Sequence, residues 1–307
     1  MAETTESETT RVMTTPVLTT PEILEMILLH TDMRTLLTSA QRVCRDWLNL
    51  IAKSPSIQKA LFFTPIKDSE WGTKEKTINP LLAESFPPIF PPKDGSRSHK
   101  FDFSDLKWTQ DPSSMTRFIR KDASWRKMLV QQPPPPELGL FNLYHARGGD
   151  TAACLTIPAY KKNKPPKIKG LRMSRLFEVL LFSHQVQFSI GTIARVYWST
   201  EEPFEFNGSY DNINAEFHRM LGQIGVVLYT RKVMQCTIGL ERPVSKAERT
   251  RMEIIKAYRE GGFDVDGIKE EIEASKSPMV RERGSRNGKR EREWEGTPAI
   301  VEGILRR

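Results

Sequence analysis

Cysteine is scarce in this chain of 307 residues: Cys44, Cys154 and Cys236 are odd in number and have no paired spacing. That excludes a disulfide scaffold. Long hydrophobic runs are absent as well, since no stretch approaches the roughly 18 to 20 uninterrupted apolar residues that a membrane span needs. The Thr- and Glu-rich first twenty residues hold no apolar secretory core. The expectation is a soluble protein of the cytoplasm, the nucleus or both, in which the sequon Asn207-Gly208-Ser209 stays unused. The histidines, His30, His99, His145, His184 and His218, show none of the zinc-ligand spacings. There is no Gly-x-Ser-x-Gly elbow, no phosphate-cradling glycine loop and no internal repeat of leucine-rich, kelch or propeller period. No metal, cofactor or catalytic residue is therefore expected.

Charge of one sign is present but local. The net charge is 46 − 38 = +8, and residues 160 to 175 carry seven Lys or Arg with no acid while residues 276 to 292 carry seven against two. These two segments sum to +12, leaving −4 for the remainder. A protein built throughout as a polyanion binder is excluded, and nucleic acid is not an expected partner.

The length suits a small domain joined to a medium one. Residues 1 to 15 are polar and acidic without periodicity and read as a disordered leader. Pro21 then stands where a first helical residue belongs, with Thr19 or Thr20 available to cap, and Ile23, Leu24, Ile27 and Leu28 recur on one face until about Thr31. Asp32 can cap a second helix carrying Leu36, Leu37 and Ala40. A third carries Val43, Trp47, Leu50 and Ile51 at i, i+4, i+7 and i+8 and stops at Ser54-Pro55. Three helices this short expose too little surface to one another for an independent core, so a partner is expected to complete the burial.

The following stretch to Gln132 is rich in aromatics, Trp71, Phe86, Phe90, Phe101, Phe103, Trp108, Phe118 and Trp125, and reads as ordered but irregular. Pro133 to Pro136 read as a polyproline II spacer. Strands are expected at Cys154–Ile157, Thr192–Trp198, Ile224–Tyr229 and Val233–Leu240, with a helix over Leu171–Ser183 carrying Met173, Phe177, Leu180 and Leu181. Ser245-Lys246-Ala247-Glu248 is a capping box that opens a helix with Met252, Ile255 and Tyr258 among its apolar positions, ending at Gly261-Gly262. Beyond Ser275 a charged disordered tail is expected, with a short helix after Thr297-Pro298. The fold class is thus α+β: an N-terminal three-helix module at 16–62, a mixed α/β region at 63–275, and disordered termini at 1–15 and 276–307.

The ordered set Pro21-Glu22-Ile23-Leu24, Ile27-Leu28, Asp32, Leu36-Leu37, Val43-Cys44-Arg45-Asp46-Trp47, Leu50-Ile51 and Ser54-Pro55-Ser56-Ile57 resembles an F-box. The match runs along some forty positions, with Val-Cys-Arg-x-Trp its most distinctive element. One departure stands at the front, where the family opens Leu-Pro-x-Glu and this chain has Thr19-Thr20-Pro21-Glu22. Asn79-Pro80-Leu81-Leu82 with Phe86-Pro87-Pro88, and Ser124 to Leu129 running into Gln131-Gln132-Pro133, are similar to segments of F-box proteins from filamentous fungi. The resemblance implies a noncatalytic substrate-recognition subunit of a Skp-cullin-F-box (SCF) type ubiquitin ligase. Its F-box would bind a Skp-type adaptor, and through it a cullin, while the region after residue 62 receives an unidentified protein substrate. The adaptor-binding residues it implies are Pro21, Ile23, Leu24, Ile27, Leu28, Leu36, Leu37, Val43, Cys44, Trp47 and Ile51, with Trp47 and its aliphatic neighbours as anchors and Cys44 as a small buried apolar residue.

Two other functions are open from the residues alone. One is an F-box protein that holds the adaptor outside any ubiquitin ligase; the other is a hydrolase or transferase with an unrecognised site in residues 140 to 260. His145 with Asp150 beside Gly148-Gly149 reads as a polar turn, Glu201, Glu202 and Glu205 as solvated loop charges, and Lys161 to Lys169 as a solvated basic loop. Arg281 to Arg292 reads as a solubilising tail, with nuclear import as its sharper alternative.

Overall fold

The computed structural model of the chain describes residues 20–66, 76–92, 100–146, 149–160, 170–183, 193–200, 211–233 and 244–279. The leader, Trp71, His99, residues 161–169, His184, Glu201 to Ser209, Cys236 with the rest of the strand expected to reach Leu240, and everything after Met279 lie outside the described residues. The chain divides into two compact units, residues 1–66 and 67–307. The class is α+β with a helical N-terminal region.

The first unit is helical. It comprises α1 (Pro21–Leu29), α2 (Met33–Thr38), a 3₁₀ turn at Ala40–Arg42, α3 (Arg45–Lys53) and α4 (Pro55–Ala60). Asp32 caps α2 by accepting from the Thr35 amide at 3.0 Å. The expected third helix is shorter at its start: Cys44 is its N-cap residue and Val43 lies in the preceding turn. Ser54-Pro55 ends α3 and also starts a helix that the sequence pattern did not disclose. The Ser54 amide closes α3 on the Leu50 carbonyl at 2.8 Å, and its hydroxyl accepts from the Ile57 amide at 3.1 Å. Ile57 and Leu61, fully buried, join Leu24, Leu28, Leu36, Ala40 and Ile51 in one cluster. This corrects the expectation of three helices without a sufficient core, because α4 supplies the missing layer.

The second unit opens with β1 (Thr77–Ile78) and α5 (Pro80–Ser85), capped by Asn79, whose Oδ1 accepts from the Leu81 and Leu82 amides. After two 3₁₀ turns at Phe103–Asp105 and Lys107–Thr109 come α6 (Pro112–Phe118), capped by Asp111, and α7 (Ser124–Lys127). The strand β2 (Gln131–Gln132) then pairs antiparallel with β1. The ordered, irregular character expected here is observed, and the reason is aromatic packing. Trp108 stacks on Phe118 at 5.0 Å between ring centres, and Phe86 meets Trp125 at 5.2 Å. Such ring pairs add roughly 0.5 to 1.5 kcal/mol each beyond their buried area.

Next come β3 (Glu137–Ala146), β4 (Gly149–Pro158), α8 (Met173–Phe182), β5 (Ile193–Trp198), α9 (Asp211–Ile224), β6 (Val226–Val233), α10 (Lys246–Glu260), α11 (Val265–Ser275) and β7 (Ser277–Pro278). The five strands β5-β6-β3-β4-β7 make one sheet in that order, with β3 and β6 parallel and the other pairs antiparallel. On one face α9 sets Phe217, Met220 and Ile224 against Phe141, Tyr197, Val227 and Tyr229. Gly139 lets the helix pack closely there, because a Cβ would stand 3.0 Å from Val227 Cγ2 and 3.1 Å from the Met220 sulfur, and those side chains would have to shift. Gly225, at φ +88°, makes the left-handed turn from α9 into β6. The opposite face buries Leu140, Val196, Leu228 and Trp198, whose ring stacks on Phe90 at 5.0 Å.

Several expectations are corrected. Pro133 to Pro136 are no free spacer, since the Pro135 and Pro136 carbonyls accept from the Leu171 and Ala159 amides at 2.9 Å. The strand expected at Cys154–Ile157 is part of a ten-residue β4, and its partner β3 is not among the expected strands. Ile224 ends α9 rather than opening a strand. Met252 faces solvent, and α10 instead buries Ala247, Thr250, Ile254 and Tyr258. The chain past Ser275 does not leave the fold at once, because Ser277 and Pro278 extend the sheet along β4.

Three helices meet at a buried charge. Arg126 of α7 donates to Tyr258 Oη of α10 at 2.8 Å and to the Glu178 carboxylate of α8. Its guanidinium lies 4.5 Å from the Phe263 ring centre. Removing one partner of a buried pair leaves an uncompensated charge, which costs about 3 to 5 kcal/mol, whereas replacing both by apolar groups is often neutral. Arg126→Met alone should therefore lower the urea midpoint sharply, and Arg126→Met with Glu178→Leu should restore most of the loss. An additive double variant would refute the coupling.

Candidate functional site

The N-terminal unit carries more apolar side chain than it can bury. Of the eight large hydrophobic residues exposed among the described residues, six fall here: Ile23 (39%), Met26 (63%), Ile27 (41%), Leu29 (39%), Val43 (60%) and Leu48 (44%). Their origin is visible in α1, where Pro-Glu-Ile-Leu-Glu-Met-Ile-Leu-Leu is apolar nearly all round. A helix of that pattern belongs inside a protein, yet only Leu24 and Leu28 are buried. Ile23, Met26 and Ile27 stand at i, i+3 and i+4, so they share an outward face. Glu25, one of the two polar residues of α1, is tied to the unit by the Ser54 hydroxyl, which fixes the rotation of the helix.

The eleven residues expected to bind an adaptor divide by environment. Leu24, Leu28, Leu36 and Ile51 are the unit's own core. Leu37 and Trp47 are half-buried and pack against that core. Pro21, Ile23, Ile27, Val43 and Cys44 are exposed. The expectation of a buried Cys44 is corrected: as the N-cap of α3 it stands outside the helical packing, with its neighbour Val43 also in solvent. Met26, Leu29 and Leu48 belong to the exposed set and were missed, although the all-round apolar character of α1 was the signal for the first two.

Electrostatics at this surface is limited to its frame. The Thr35 side chain, and then its amide, hold the Asp32 carboxyl below its ordinary range. Because the folded value is depressed, the cap's contribution is present at neutral pH and fades as acid protonates Asp32.

Among the described residues outside this unit, the sharper chemical readings meet the following arrangements. His145 and Asp150 are not on a free turn but face each other as register partners on β3 and β4. No group of three or more His, Cys, Asp or Glu is arranged to hold a metal ion among the described residues. A groove of about 290 Å³ beside β7 is lined by Pro136, Glu137, Thr156, Gln223, Ile224, Pro278 and Met279, with Glu137 its one ionisable group. No helix among the described residues is long and apolar enough to cross a membrane.

The division between core and surface sets a stability test. Ile51→Ala should cost about 2 to 5 kcal/mol, as cavity-forming core truncations do. Ile27→Ala should stay within about 0.5 kcal/mol, like other surface substitutions. Urea unfolding followed by far-ultraviolet circular dichroism measures both, and comparable losses would contradict the assignment. No protein-family model, no curated protein and no solved structure matches this chain.

Proposed function

We propose that the chain is a noncatalytic substrate receptor of SCF type, acting in the cytoplasm or the nucleus. Its helical unit docks on a Skp-type adaptor, and through it on a cullin, while the α+β unit receives a protein substrate. The observation that carries this reading is the coincidence of two independent features in residues 21–57. The ordered motif resembles an F-box, and the same residues leave Ile23, Ile27 and Val43 in water after the local core is complete. Helix-in-groove recognition needs apolar anchors at helical spacing that are free before binding. Each well-seated anchor contributes about 2 kcal/mol or more. Trp47 serves both purposes, since one part of its ring supports the core and the rest remains accessible.

Affinity capture of the full chain under proteasome inhibition tests the reading, with Ile27→Lys plus Val43→Lys as the comparison. Both positions are exposed, so the variant keeps its fold. The native chain should bring down adaptor and cullin together, and the double variant should lose both while retaining its circular dichroism and melting temperature. Adaptor without cullin would move the protein outside ubiquitin ligases. Neither partner with the native chain would refute the proposal.

A further inference from the structure

The buried or half-buried arginines of the second unit mostly hold a carboxylate: Arg126 has Glu178, Arg175 has Glu271, Arg219 has Glu216 and Arg251 has Glu248. Arg172 donates to the Lys127 carbonyl, whereas Arg195 on β5 and Arg231 on β6 hold no carboxylate among the described residues. Both are half-buried, and the Nε of each is buried without a hydrogen-bond partner. Arg195 reaches the Tyr197 hydroxyl at 3.5 Å, and Arg231 has no hydrogen bond or ion pair with a described residue.

The sheet register brings these two cations together. Arg195 is opposite Tyr229, and Ile193 is opposite Arg231, so both arginines project from the face that Tyr229 shares with α9. They are diagonal neighbours across one antiparallel pair, a spacing that long side chains bridge. Leu143 of β3 is opposite Arg231, which places His145 one further diagonal step along the same face. The strands thus align Arg195, Arg231 and His145.

The helix above, whose first residue is the acid Asp211, brings its dipole to the same row. Ile224 and Met220 pack at Gly139, and Phe217 packs on Phe141 at 5.2 Å. Followed backwards, α9 therefore runs towards the Arg231 row with its positive dipole end leading. Its Glu216 is already held by Arg219, which also bonds Gln223 on the flank lining the β7 groove. Like charges on residues that neighbour one another in the register repel, and burying such groups in part without an anion is costly.

We propose that Arg195 and Arg231 form a binding site for a doubly charged oxyanion of the phosphate type. Two guanidinium forks match a dianion in charge and in donor geometry, whereas a single carboxylate would leave one positive charge unanswered. The site stands apart from the adaptor-docking reading and does not depend on it.

The test is calorimetric titration and thermal shift of the full chain with inorganic phosphate and with phenyl phosphate, at ionic strength held constant with potassium chloride. Saturable binding and a raised melting temperature are expected with phosphate and not with acetate. Tighter binding of phenyl phosphate would assign the site to a monoester ligand, and equal binding to the free ion. Arg195→Lys and Arg231→Lys keep the charge but lose the fork, and each should weaken binding about tenfold with the fold intact by circular dichroism. Neutralising Arg281, Arg283, Lys289 and Arg290 to Gln should leave it unchanged. The proposal is overturned if chloride at matched strength raises the melting temperature equally, or if both Lys variants bind like the native chain. It is also overturned if phosphate acts only on the Glu201→Gln, Glu202→Gln, Glu205→Gln variant, because the chain's own carboxylates would then be the natural anion.

Discussion

The guanidinium of Arg126 is the constraint around which the second unit is arranged. It joins α7 to α8 through Glu178 and to α10 through Tyr258, residues separated from it by 52 and 132 positions. A charge with a side chain only 10% exposed cannot be left alone. The aromatic surroundings follow from that requirement. Trp125 at 5.2 Å, Tyr258 at 5.4 Å and Phe263 at 4.5 Å offer ring faces to the cation, and burial there pushes the Tyr258 phenol well above its ordinary range. Phe177 then links this centre to Trp125 at 5.5 Å and to Phe103 at 5.7 Å. The irregular segment before the sheet is ordered because its aromatic residues meet helices that come later in the chain.

The first unit obeys a different constraint, that of size. A helical unit this small has few interior positions, and α4 fills them by adding Ile57 and Leu61 to the cluster. Several further apolar residues, Ile23, Met26 and Ile27 among them, are left facing outward, which explains why one helix shows both a core stripe and a bare one. Surplus apolar surface on a small module weakens its solubility and favours association. It is therefore the physical feature on which the proposed docking rests.

The two units divide the chemistry between them. In the first, a group of large apolar side chains stays exposed, while Asp32 caps α2 and Glu25 accepts from the Ser54 hydroxyl. In the second, most large apolar residues are buried, and among the described residues the buried or half-buried Arg126, Arg175, Arg219 and Arg251 each hold a carboxylate. The proposed docking face and the proposed anion site make different demands. The former depends on area removed from water and the latter on donors held in place, which a sheet provides through its register.

Local signals were read correctly where a feature is written in neighbouring residues. Pro21 at the first helical position, Asp32 as a cap, Ser245 to Glu248 as a capping box, Gly261-Gly262 as a stop and the strand ending at Trp198 all depend on contacts within a few positions. The existence of an apolar N-terminal helical module was equally legible. Which of its residues face water was not, because Ile27 and Leu28 are chemically alike and only the packing of α3 and α4 distinguishes them. The strand β3 was hidden by Gly139, a poor strand residue at a position that Met220 and Val227 approach closely. The pairing of β3 with β6 joins residues 88 positions apart, as Asn142 and Thr230 show, and the diagonal of Arg195, Arg231 and His145 exists only through that register. Local propensity thus determined the elements with short-range caps and clear periodicity. Tertiary structure decided the faces, the charge partners and the sheet order, because burial and ionic contact depend on distances that the linear chain does not specify.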